Sequence, residues 1–326
     1  MNETEKAHFP EGLKKTVDII IPAYKPGPVF KELLKRLLCQ TYPLHRIIVM
    51  NTEKEYWDDT IYESLFADND TKLNEKLKVI HLTKPEFDHG GTRHQGFLES
   101  EADACICMTQ DALPKNRHLV GNLIAALYSD EDAAIAYGRQ LPAADCGFVE
   151  RYTREFNYPK ENRVKSKADL DKLGIKTYFC SNVCAAYKRE LYLKLGGFIR
   201  KTIFNEDMIF AAKAVQNGYK IVYSSEAEVI HSHNYTAREQ LHRNFDLAVS
   251  QADHPEAFSG LSSEGEGMRL VMNTSLYLFK KGKWYLLPDL IIKSGFKYAG
   301  FRLGKMYRHL PDSLVRRLTM NQAYWD

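Results

Sequence analysis

The chain alternates short apolar runs with stretches whose apolar residues recur every three or four positions. Val17-Asp18-Ile19-Ile20-Ile21, closed by Pro22, is the first such run. Its length and β-branched content predict a buried strand. Three prolines and a glycine between Pro22 and Pro28 exclude helix and ladder, so that segment is a loop. From Val29 to Cys39 the apolar positions are 29, 30, 33, 34, 37 and 38, a helical period. The same reasoning predicts strands at Arg46–Met50, Lys78–Leu82, Ala104–Thr109 and Ala133–Tyr137. It predicts helices at Thr92–Leu98, following Gly90-Gly91, and at Leu119–Tyr128.

Strands separated by helices imply parallel pairing through right-handed crossovers, hence an α/β fold with a Rossmann-like, mostly parallel sheet flanked by helices. Ligands in such sheets sit off the carboxyl ends of the strands. Tyr24, Asn51, Asp88 and Asp111 all lie just past predicted strand ends and share that rim. Farther on, Pro142 to Lys176 is polar and reads as a long loop with some helix. Tyr178 to Tyr187 is strand-like. Lys188 to Leu195 is helical and stops at Gly196-Gly197. Glu206 to Gln216 is a helix, Lys220–Tyr223 and Glu228–His231 are two short strands, and Ala237 to Gln251 is a further helix. From Gly267 the pattern stays helical. The expected organisation is an N-terminal tail (1–15), an α/β domain (16–236) and a C-terminal helical appendage (237–326).

With 44% hydrophobic residues, the 326-residue chain can bury a sizeable core. A net charge of +3 gives no basis for broad nucleic-acid binding. Cys39, Cys105, Cys107, Cys146, Cys180 and Cys184 lack paired zinc spacing and read as free buried thiols of a reducing cytosol. Met1–Pro10 has no apolar signal core, and an uninterrupted apolar run of about 18 residues is absent. A cytoplasmic protein without a spanning helix is the expectation.

Candidate chemistry concentrates in five polar stretches. Asp111, in Met108-Thr109-Gln110-Asp111, comes directly off a buried strand, where a carboxylate can hold Mg²⁺ or Mn²⁺ together with substrate phosphates. The plain alternative is a turn or cap before Pro114. Glu206-Asp207 opens a helix, where the dipole favours acids. The pair either caps that helix or supplies a general base. His231 and His233 sit at i and i+2 and would share one face of a strand. Beside Asp111, His233 becomes a metal or diphosphate ligand, with His231 the weaker of the two. In Asp88-His89-Gly90-Gly91-Thr92-Arg93 the glycines allow close backbone approach and the helix start offers N–H groups to an anion. Arg93 pairs with phosphate or orients Asp111. Neither the P-loop nor the dinucleotide fingerprint occurs, which argues against kinases and dehydrogenases. Tyr24 either stacks on a pyrimidine or is an ordinary loop aromatic.

Phe87-Asp88-His89-Gly90-Gly91-Thr92-Arg93 followed by Thr109-Gln110-Asp111-Ala112 resembles the family 2 glycosyltransferases of GT-A fold, and among them the bacterial rhamnosyltransferases. Phe179-Cys180-Ser181-Asn182, Phe204-Asn205-Glu206-Asp207-Met208 and His231-Ser232-His233-Asn234-Tyr235 extend the resemblance over Thr16 to Tyr235. It implies that Pro22, Tyr24, Asn51, Asp88, Arg93, Gln110 and Asp111 bind the nucleotide sugar, and that Asp111 and His233 hold Mg²⁺ or Mn²⁺. It also implies that Asp207 is the catalytic base, with Asn205 and Glu206 serving the acceptor or a loop. An inverting enzyme would pass L-rhamnose from dTDP-L-rhamnose to a saccharide or lipid-linked saccharide acceptor in cell-surface polysaccharide synthesis. Two positions depart from the family: Asn51-Thr52-Glu53-Lys54 replaces D-D-G-S, and Thr109 replaces the first acid of D-x-D.

From Leu270 to Asp326 ten Lys/Arg face three Asp, interleaved with aromatics. Lys280, Lys281, Lys283, Trp284, Tyr285, Leu286 and Leu287 predict either peripheral contact with the inner face of the cell membrane or packing on the core or a second subunit. Rival functions are a family 2 enzyme using a UDP-hexose or UDP-N-acetylhexosamine donor, a nucleotidyltransferase, and a non-catalytic module of the same fold. The Pro-rich, Tyr-containing loop after the first strand disfavours the nucleotidyltransferase, which would carry a glycine-rich basic loop there.

Overall fold

The computed structural model describes residues 14–60, 62, 65, 76–261 and 264–325; the polar Met1–Pro10 segment lies outside them. Nine strands of the described residues form one sheet. They are β1 (Val17–Tyr24), β2 (Arg46–Thr52), β3 (Leu77–Leu82), β4 (Ala104–Met108), β5 (Leu113–Pro114), β6 (Ala133–Leu141), β7 (Arg163–Lys165), β8 (Cys184–Lys188) and β9 (Lys220–Ile230). The order is β3-β2-β1-β4-β8-β6-β9-β5, with β7 also on β9. Strands β1 to β4 are mutually parallel, as are β6 and β9. Between these blocks β8 runs antiparallel to both β4 and β6. The sheet is therefore mixed. Between β6 and β8 the chain passes through β7, which is likewise antiparallel to its neighbour β9.

Helices α1 (Pro28–Leu38), α2 (His89–Leu98), α3 (Leu119–Leu127), α4 (Phe148–Asn157), α5 (Arg189–Lys194) and α6 (Glu206–Gln216) accompany the sheet. Consecutive residues of the central strands feed opposite layers. Ile19, Ile21, Ile47, Val49 and Ile106 pack with Phe30 of α1 and Leu123 of α3. Ile20, Ile48, Cys105 and Cys107 pack with Phe97 of α2, Tyr192 of α5 and Phe210 of α6. A sheet covered on both faces needs continuous apolar runs, which explains why β1 and β4 show no polar alternation. Each fully buried side chain of this kind contributes about 1.5–3 kcal/mol. The cysteines are unpaired; five are buried, but Cys39 is exposed, contrary to expectation.

Several boundaries differ from the sequence reading. Helix α2 begins at His89 instead of Thr92, because the Asp88 side chain caps it by accepting from Gly91 N. Residues 220–230 form one strand, not two, with a register shift opposite Gly138–Arg139 that absorbs the polar Ser224–Glu226 interruption. Of the expected 178–187 strand only Cys184–Tyr187 pairs, running on to Lys188, which leaves Phe179–Val183 as a rim loop. The C-terminal pattern resolves into α7 (Ala237–Asp253), α8 (Glu264–Lys280), α9 (Leu287–Lys305) and α10 (Asp312–Leu318). Phe245, Val249 and Val315 share a small core with Ile203, so this region packs against the segment that precedes α6.

Candidate active site

The rim is organised by backbone clamps. Gln110 reaches back to the end of β1, where its Oε1 accepts from Tyr24 N at 2.9 Å and its Nε2 donates to Tyr24 O at 3.1 Å. Tyr24 is thereby fixed and 41% exposed, edge-on to Tyr56 at 5.6 Å. Pro22, expected to begin the loop, instead lies inside β1 in register with Met50, and the ladder runs on to Tyr24. At the end of β2, Asn51 is fully buried and its Nδ2 donates to Glu53 O at 3.1 Å and to His81 Nδ1 at 3.0 Å. Among the described residues, Asn51 Oδ1 and the hydroxyls of Thr52 and Thr109 are buried without hydrogen-bond partners. Such atoms are costly unless a ligand completes them. Lys25, Glu53, Lys201 and Asn205 adopt positive φ without being glycine. All four follow rim strands or precede α6, and strain of this kind gathers at functional sites.

The Asp88 carboxylate is occupied by protein. It caps α2 and accepts from Lys201 N and Thr202 N, each at 3.1 Å. Gly90 allows close approach to protein rather than to a ligand: a Cβ there would stand 1.9 Å from Ile199 O. Arg93 is buried and pairs with Glu206 Oε1 at 3.0 Å, so it orients Glu206, not Asp111. Asn205 is left-handed (φ 63°) and its Nδ2 donates to Leu247 O of α7, which is a loop-fixing contact.

Asp111, His231 and His233 converge. Asp111 Oδ2 is 3.6 Å from His231 Nε2 and 3.5 Å from His233 Nε2, and the two Nε2 atoms are 3.0 Å apart. The histidines lie past the end of β9, so the loop and not strand alternation brings them together. Burial pulls His231 down to about 4 and also lowers His233, against the opposing pull of Asp111. One carboxylate and two neutral imidazoles within 4.8 Å of one another fit a divalent cation such as Mn²⁺. The orphaned Thr109 hydroxyl lies two residues away in sequence.

Asp207 opens α6. Its Oδ2 accepts from Asn182 N at 3.0 Å and its Oδ1 from Met208 N at 2.8 Å. Burial first, then the charge of Glu206, push its carboxyl up to about 7. Glu206 is also buried, but Arg93, His89 and the Asn182 side chain outweigh that cost and hold it below its ordinary value. Two adjacent acids are thus driven apart, one kept ionised and one poised near neutrality. The Phe179–Val183 loop joins this pair to the histidine side: Thr109 N donates to Val183 O at 3.3 Å, and Asn182 lies two residues before β8, whose first residue Cys184 pairs with Met108 at the end of β4. Asp111, Asp207 and His233 therefore occupy one rim. Sequence reasoning underrated His231 although its His-x-His spacing was visible, and it missed Gln140 and Arg154, which carry no motif.

This arrangement, with helices on both faces of a mixed sheet and helices appended at the C-terminus, is a GT-A fold. A mannosyltransferase from Pyrobaculum calidifontis, solved with GDP-Man and Mn²⁺, superposes with TM-score 0.56 at 16% identity over 96% of this chain and 85% of its own. S. aureus TarS 1-349 gives 0.51 at 18% identity over 90% and 91%. The glycosyl transferase family 2 model matches residues 18–196. The chain belongs to that family. It is 37% identical to the O-antigen chain rhamnosyltransferase RfbN of Salmonella typhimurium over 95% of this chain and 96% of that protein. It is 36% identical to WbaN of Salmonella anatum, an O-antigen chain rhamnosyltransferase, over 94% and 95%.

Proposed function

We propose that the protein is an inverting rhamnosyltransferase that moves L-rhamnose from dTDP-L-rhamnose to a lipid-linked saccharide during cell-surface polysaccharide synthesis. The observation that carries this reading is the near-full-length similarity to two O-antigen rhamnosyltransferases. Tyr24, fixed by Gln110, stacks on the base, and the unpartnered Asn51 Oδ1 accepts from it. Asp111, His231 and His233 hold Mn²⁺ or Mg²⁺, the two imidazoles favouring Mn²⁺. A cation held by these residues would supply positive charge against that developing on the departing diphosphate. Asp207 removes the acceptor hydroxyl proton as that oxygen attacks the anomeric carbon from the face opposite the diphosphate, so a β-linked donor gives an α-L-rhamnoside. Glu206, locked by Arg93, keeps a fixed negative charge beside Asp207. Residues 16–236 carry the chemistry, and the 237–326 region places it at the inner face of the membrane.

The test is a donor screen using dTDP-L-rhamnose, UDP-galactose, UDP-glucose and UDP-N-acetylglucosamine, with and without Mn²⁺ or Mg²⁺. Metal-stimulated turnover with dTDP-L-rhamnose is expected. Preference for a UDP-sugar would replace the rhamnose assignment, and metal-independent turnover would remove the assigned ion site.

A further inference from the structure

Gln140 lies where the two halves of the site meet. It sits on β6 and is only 3% exposed. Its Nε2 donates to Ser181 Oγ at 3.1 Å. Its Oε1 accepts from Arg154 Nη1 and stands 3.2 Å from His231 Nδ1. A guanidinium has donors and no acceptor, so the amide atom beside Arg154 must be the oxygen. Arg154 is itself held by Glu150 at 2.7 Å. The orientation of the Gln140 amide is thus fixed by chemistry. The same oxygen faces Nδ1 of His231, which must then carry the ring proton; the lone pair of the neutral ring is left on Nε2. That Nε2 is the atom facing Asp111 Oδ2 and His233 Nε2.

We propose that Gln140 is a positioning residue: it sets His231 as the Nδ1–H tautomer, with its Nε2 lone pair presented to the cation, and through Ser181 it tethers the loop that holds Asp207. The second limb runs through one peptide. Ser181 receives the Gln140 amide, and the next backbone N–H, that of Asn182, donates to Asp207 Oδ2 at 3.0 Å. The Asn182 side chain is also committed, donating to Glu206 at 3.0 Å and accepting from Tyr187 Oη at 2.7 Å. A shift of the loop therefore moves the base. One uncharged side chain joins the ion side of the site to the base side, and outer-shell partners of this kind commonly change metal affinity or activity about 10–100-fold when lost.

The inference rests on the metal-dependent transferase reading, but its first readout does not, because the tautomer is a property of the metal-free protein whatever the donor. Full-length protein with nitrogen-15 histidine, freed of metal at about pH 7.5, should show His231 as the Nδ1–H tautomer in two-bond nitrogen–proton spectra, with His231→Gln giving the assignment. An Nε2–H tautomer there overturns the proposal, and this measurement needs no variant of Gln140. In the presence of dTDP, free Mn²⁺ read by EPR should show about 10–100-fold weaker binding to Gln140→Leu. Gln140→Glu should keep wild-type affinity, since a carboxylate accepts both hydrogen bonds. A folded Gln140→Leu that binds Mn²⁺ normally overturns the ion-side limb. Ser181→Ala should lower kcat with Mn²⁺ affinity unchanged; an unchanged kcat overturns the base-side limb. A wrong donor sugar would leave the tautomer readout unaltered, and repeating the Mn²⁺ titration without nucleotide frees that limb from the choice of donor.

Discussion

At the residue scale the decisive feature is the contrast between two neighbouring acids. Glu206 is neutralised by Arg93 and a set of hydrogen bonds, whereas at Asp207 burial and the charge of Glu206 outweigh two backbone N–H donors and the pull of Arg93. Its carboxyl is held up at about 7, where a base combines availability with proton affinity. Asp207→Asn should therefore lower kcat by about 10²–10⁴-fold while dTDP-sugar affinity, read by calorimetry, stays unchanged. A variant of normal turnover would place the base elsewhere. The sign of the pH dependence follows from the raised value. A carboxylate acts as base only when ionised, so kcat should fall as pH drops through about 7, tenfold per unit, and level off above it. A wild-type profile flat down to about pH 5 would contradict the assignment. Asp111→Ala, by contrast, should abolish the Mn²⁺ dependence of donor binding, because it removes the one carboxylate from the cluster.

At the element scale, helices α7 and α9 depend on a backbone-to-backbone contact. A Cβ on Gly300 would lie 2.1 Å from Leu241 O, and one on Gly304 would lie 2.3 Å from Phe245 O. No side chain can yield there, so the helices must move apart. Gly300→Ala should lower unfolding free energy by about 1–3 kcal/mol, measured by denaturant titration. Stability equal to wild type would show that α9 is not seated on α7 as described. The consequence reaches the site, because Asn205 donates to Leu247 O on the same α7 and Asn205 immediately precedes the acidic pair. The appended helices thus brace the start of α6.

At the scale of the whole molecule, the outer faces of α8 and α9 stand out. Met268, Met272, Leu276 and Phe279 recur at helical spacing on α8 and are all more than half exposed. Trp284 and Tyr285 follow in the connecting turn, and Ile291, Ile292 and Tyr298 are exposed on α9. Lys280, Lys281 and Lys283 accompany them. No helix of the described residues is long and apolar enough to cross a membrane. Interfacial aromatics with adjacent lysines suit an anionic bilayer surface. Full-length protein should co-float with vesicles containing phosphatidylglycerol and not with neutral ones, and Lys280→Glu/Lys281→Glu/Lys283→Glu should abolish flotation without changing kcat on a soluble acceptor. Equal binding to neutral vesicles would remove the role given to the lysines, and none to either would remove the membrane assignment.

What the sequence determined by itself was the alternation of buried strands and covering helices, and with it the rim on which Tyr24, Asn51, Asp88 and Asp111 stand. Those features follow from local spacing and from the rule that ligands gather at strand ends, so single segments carry them. Asp111, Asp207 and His233 were legible because each lies in a short motif. Only the tertiary structure decided which neighbours these residues meet. The antiparallel insertion of β8, the single bulged β9 and the exposure of Cys39 all depend on partners distant in the chain. So do the roles of Arg93, committed to Glu206 at 3.0 Å, and of Asp88, committed to the backbone of residues 201–202. Charged side chains choose partners by distance and burial, and those are set by elements more than a hundred residues apart. Gln140 is the clearest case: a neutral residue inside an apolar strand acquires meaning only where β6, the 181–182 loop and His231 meet.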